Sequence, residues 1–74
     1  MKIVYKAIGE STGNYYINIE YNGSIYYVNA ANWQQGGWTY LVKEKDCEFE
    51  LGGSIRNIIT EFVKNYLALE KLSQ

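Results

Sequence analysis

The chain has 74 residues, 47% of them apolar and 20% charged, with a net charge of −1. That is a globular composition, and the near-zero charge excludes a global attraction to nucleic acid or to an anionic membrane surface. There is no histidine and only one cysteine, Cys47. Their scarcity removes the commonest general base and metal ligand, the Ser-His and Cys-His catalytic arrangements, thiolate zinc sites and any intramolecular disulfide.

A chain this short buries only about 60% of the surface that its unfolded form exposes. Residues 1–74 therefore read as one small α+β domain with a thin core, which needs efficient packing or a partner. Without disulfide staples, a reducing cytoplasm is the expected compartment. Lys6 interrupts the N-terminal apolar run before a signal-peptide core can form, and no apolar run approaches the ~20 residues of a membrane span. Proline is absent, so every residue keeps its backbone donor, which suits an antiparallel sheet.

In chain order, "KIVYKAI", residues 2–8, reads as a first strand and "GESTGN" as a loop. "YYINIEY", residues 15–21, alternates with period two: Tyr15, Ile17, Ile19 and Tyr21 on one side, Tyr16, Asn18 and Glu20 on the other. Asn22-Gly23 is the strongest two-residue hairpin signal, since both positions tolerate the positive φ of a type I′ turn. "SIYYVNA" then returns as a third strand. This turn fixes the pairing: Tyr21 faces Ser24, Ile19 faces Tyr26 and Ile17 faces Val28. One face of the hairpin, Tyr15, Ile17, Ile19, Tyr21, Tyr26, Val28 and Ala30, is apolar enough to be core. The other, with Tyr16, Asn18, Glu20, Ile25, Tyr27 and Asn29, is mixed.

"WTYLVK" and "CEFEL" read as fourth and fifth strands joined by the charged "KEKD". Four residues, 34–37, between the third and fourth strands would set Trp33 opposite Trp38. That pairing turns Trp38, Tyr40 and Val42 onto the mixed face, and the apolar surface changes sides halfway across the sheet. A one-residue slip has this effect on every side chain. Two remedies are available: a β-bulge or break within "NAAN", residues 29–32, or a sheet that coils into a small barrel. The bulge or break is favoured, because it needs only one irregular residue.

After "LGGS", Ser54 reads as the N-cap of a helix over residues 55–72. Ile55, Ile58, Ile59, Phe62, Tyr66 and Leu69 form its apolar stripe, widened by Val63 and Leu67. The fold class expected is an antiparallel meander of four to five strands with one C-terminal amphipathic helix packed across one face. "YLVK" followed by an amphipathic helix is similar to the pattern of chromo-like and small SH3-like domains. The resemblance concerns the order of elements alone and assigns no functional residue.

Gly36-Gly37 and Gly52-Gly53 lack the spacing of phosphate-binding loops. Glu48 and Glu50, on one side of the expected fifth strand, read as a solvated edge that discourages strand addition. No catalytic residue, metal or cofactor is expected. One helix covers one sheet face, so the mixed face is left for a partner. Its candidate binding residues are Tyr16, Asn18, Ile25, Tyr27, Asn29 and Trp33, since aromatic side chains anchor protein interfaces. A protein partner or a homodimer through this face is the expected occupant. Stacking on nucleotides or single-stranded nucleic acid ranks second, because it normally needs a basic groove. The many Asn, Lys, Ile and Tyr residues suggest an AT-rich bacterial or phage genome, and a phage-encoded inhibitor or small regulator fits this size.

Overall fold

Four antiparallel strands run in sequence order across one sheet in this computed structural model, which describes residues 1–33 and 37–72 and, within them, every side chain except those of Trp33, Lys71 and Leu72. The strands are β1 (Lys2–Ile8), β2 (Tyr15–Tyr21), β3 (Ser24–Trp33) and β4 (Gly37–Glu44), and the helix α1 is Gly53–Leu72. Asn22 and Gly23 have φ values of 51° and 81°, the left-handed pair that a type I′ turn requires. That turn sets Tyr21 against Ser24, Ile19 against Tyr26 and Ile17 against Val28. The face it makes is the core: Ile17, Ile19, Tyr26, Val28 and Ala30 are buried, with Tyr15 and Tyr21 packed at the margin.

The face conflict is resolved without a bulge or break at residues 29–32. β3 runs unbroken, and its pairing with β4 is continuous from Tyr26 opposite Glu44 to Trp33 opposite Gly37. Three residues, 34–36, lie between the strands where four were expected. The two tryptophans are therefore not partners. Trp38 pairs with Asn32, Tyr40 with Ala30 and Val42 with Val28. This one-residue change puts the whole row Trp38, Tyr40 and Val42 on the core side. Val42 is fully buried, and Trp38 lies against Tyr15 with ring centroids 5.8 Å apart. The sheet is open, with β1 and β4 at its edges, and does not coil into a barrel.

A register shift does occur, in β1 between Ile3 and Tyr5. Ile3 pairs with Ile19 on the core side; Val4 is the extra residue; Tyr5 then pairs with Asn18 and Lys6 with Ile17. In an unshifted strand Tyr5 would enter the core and Lys6 would face away from α1. The shift places Lys6 on the helix side, where its amine bonds the Glu70 carboxylate and lies 5.5 Å from the centre of the Tyr66 ring. The bond to Glu70 and then that to Tyr66 hold the Lys6 amine above its ordinary value of about 10.5. Deleting Val4 should convert β1 to a regular strand while keeping every one of these pairings. We expect this deletion to change the unfolding free energy by no more than about 1 kcal/mol. Urea titration checks this, and a loss of several kcal/mol would mean that Val4 itself is structural.

α1 crosses the sheet from β4 to β1. At its start the Arg56 guanidinium donates to the Tyr40 carbonyl at 3.1 Å, and near its end Glu70 meets Lys6. Ile59, Val63 and Leu67 are its buried apolar residues, flanked by Phe62 and Tyr66. The expected stripe is turned by roughly a quarter of a helical revolution, so that Ile55, Ile58 and Leu69 are exposed. The helix also begins at Gly53, leaving Ser54 inside its first turn and not at its cap. Beneath α1, burial and then the charge of Glu61 push the Tyr40 phenol above 10.0.

The expected fifth strand does not form. Asp46 has a φ of 71°, and Cys47 N–H donates back to the Glu44 carbonyl at 3.0 Å, which turns the chain after β4. A fifth strand would need the outward carbonyls of β4. Those of Val42 and Tyr40 instead accept from Leu51 N–H, at 2.6 Å, and from Arg56. The alternation of Cys47, Phe49 and Leu51 does not mark a buried side: Leu51 packs against the core, whereas Cys47 and Phe49 are exposed.

Candidate partner-binding face

The face of the sheet opposite α1 is built from the alternate positions of all four strands. β2 contributes Tyr16, Asn18 and Glu20, and β3 contributes Ile25, Tyr27 and Asn29. Because β3 and β4 pair as they do, Leu41 stands beside Asn29 and Lys43 beside Tyr27. Because β1 is shifted at Val4, Tyr5 stands beside Asn18. Among the described side chains of this face, Tyr5 at 52%, Tyr16 at 40% and Leu41 at 54% remain exposed.

The middle of the face is concave. Tyr16, Asn18, Tyr27, Asn29, Leu41 and Lys43 line a pocket of about 520 Å³, with Glu50 closing it from the segment that follows β4. The Lys43 amine sits 5.9 Å from the centre of the Tyr27 ring, a contact worth about 0.5–1 kcal/mol at an exposed site. Glu50 is held by Arg56 at 3.6 Å. The Asn29 Oδ1 is shielded from solvent, yet no donor among the described residues reaches it. Leaving a shielded acceptor unpaired costs about 1–3 kcal/mol.

Of the six residues expected to bind, Tyr16, Asn18, Tyr27 and Asn29 converge on this pocket. Ile25 shares the face but lies beside Glu20, next to the β2–β3 turn. The side chain of Trp33 lies outside the described residues, and its backbone pairs with Gly37. Sequence reasoning missed Tyr5, Leu41, Lys43 and Glu50. A signal for Leu41 and Lys43 was present in "WTYLVK": putting its apolar row Trp38, Tyr40 and Val42 in the core forces the intervening residues outward. Nothing in the β1 sequence marks Val4 as the shifted residue. Glu48 and Glu50, read from the sequence as a solvated edge, are both exposed.

Searched against protein-family models, curated proteins and solved structures, the chain matches none. The described residues form a small α+β protein whose antiparallel meander is covered by a helix on one face and presents tyrosines around a pocket on the other. No helix among the described residues is long and apolar enough to cross a membrane.

Proposed function

We propose that this chain is a non-enzymatic binding module that docks a protein partner, or a second copy of itself, through the face opposite α1. The observation that carries this reading is the pocket around Tyr16, Tyr27 and Leu41 on the face that α1 leaves open. Exposed aromatic and apolar side chains that ring a concavity have the composition of an interface centre. The lack of histidine and the exposure of Glu48 and Glu50 favour binding over catalysis. Lys2 and Lys43 on this face are matched by Glu20 and Glu50, which favours protein over nucleic acid as the partner. A reducing cytoplasm suits the unpaired Cys47, and the composition and size suit a bacterial or phage-encoded inhibitor or regulator.

The test is capture of host proteins by the tagged chain and by two variants. Leu41→Asp places a charge on the proposed face, and Ile58→Asp places one on the exposed side of α1. A partner retained by the wild type and by Ile58→Asp, but lost with Leu41→Asp, is the expected result. Identical capture by all three would move the function off this face.

A further inference from the structure

We infer that the occupant of this face is a second copy of the chain, joined by a twofold axis with Phe49 of each copy seated in the pocket of the other. This inference rests on the function proposed above and narrows it to one partner. Among the described residues, Phe49 is the most exposed of the large apolar side chains, at 82%. It belongs to the short segment whose next residue, Glu50, closes the pocket wall. A twofold interface must be self-complementary, each copy carrying both the projecting group and its receptor. Here one chain carries both: an exposed phenyl ring one residue from the pocket wall, and a concavity of about 520 Å³ walled by Tyr16, Tyr27 and Leu41.

Charge agrees with this choice of partner. The face carries Lys2 and Lys43 against Glu20 and Glu50, a balanced set that can meet its own copy without a net excess of either sign. The net charge of −1 per chain adds little repulsion between copies. A polyanionic partner would need an excess of cations, and a strongly basic one an excess of acids. Area agrees too. A stable interface covers about 800 Å² on each partner, roughly a sixth of the 5220 Å² that this chain exposes. For a brick-shaped molecule of 32 × 24 × 21 Å, that is about one side. A chain of this length has a thin core, and a second copy would cover the apolar groups that α1 leaves open.

Sedimentation equilibrium from 1 to 100 μM, with reductant present to keep the exposed Cys47 free, tests the inference. The wild type should be a dimer at the upper concentrations. Phe49→Asp and Leu41→Asp should each weaken association at least 100-fold, with the circular dichroism of the folded chain retained, because neither side chain is part of the core. Ile58→Asp on the far side should dimerise like the wild type. A strict monomer at 100 μM would overturn the inference, as would a dimer that survives both face substitutions. The capture experiment separates this failure from that of the broader reading: a monomer that still loses a host partner through Leu41→Asp keeps the binding face and removes only the second copy.

Discussion

Ile59→Ala should lower the unfolding free energy by about 2–5 kcal/mol, the usual cost of removing a large aliphatic side chain from a close-packed core. Ile59 is fully buried, on the side of α1 that meets the sheet with Val63 and Leu67. A chain of this length has a total stability of only about 4–11 kcal/mol, so the single change removes a large part of it. The neighbouring Ile58→Ala is the control. Ile58 is 45% exposed, so its truncation forms no cavity and should cost less than about 1 kcal/mol. Urea unfolding of the two variants reads the difference directly. Equal losses would mean that α1 is seated on a different face, and with it the assignment of the sheet surface left open.

The contrast between these two isoleucines shows where sequence reading ran short. A helix with apolar residues at 55, 58, 59, 62, 63, 66, 67 and 69 has a stripe wider than one sheet can cover. Periodicity locates the helix but not which edge of a broad stripe is buried. The tertiary contacts choose: Arg56 binds the Tyr40 carbonyl at one end and Glu70 binds Lys6 at the other, and these two anchors set the rotation of α1. The β2–β3 hairpin was legible in full because Asn22-Gly23 fixes both turn and register within the strands themselves. The fifth strand was misread for a related reason. Alternation in "CEFEL" is a local signal, whereas the backbone partners that a strand needs were already taken by Leu51 and Arg56.

The same limit applied to the candidate site. Tyr16, Asn18, Tyr27 and Asn29 could be grouped because they lie on the one hairpin whose register the turn dictates. Tyr5 and Leu41 reach the same face only through the shift at Val4 and the three-residue connection before β4. Both are choices made by burial across strands. Each moves a row of side chains from one face to the other at the expense of a single residue. The open face is thus what remains once the core has selected its rows.

Gly37→Val probes that selection. Gly37 opens β4 with a φ of 79°, and a Cβ built there meets nothing within 4 Å. The substitution therefore carries a backbone penalty and no clash. A β-branched residue held in the left-handed region costs about 1–3 kcal/mol. The chain could relieve this strain by slipping to the pairing with a four-residue connection, Trp33 opposite Trp38. That slip would carry Trp38, Tyr40 and Val42 onto the open face. Each large side chain withdrawn from the core costs about 1.5–3 kcal/mol, so the three together outweigh the strain. The expected outcome is a loss of about 1–3 kcal/mol in urea with the pairing intact, seen as a retained cross-strand Hα contact between Val28 and Val42. If that contact moved to Val28 and Lys43, Gly37 and not the apolar row would be holding the register, and Leu41 would leave the proposed binding face with it.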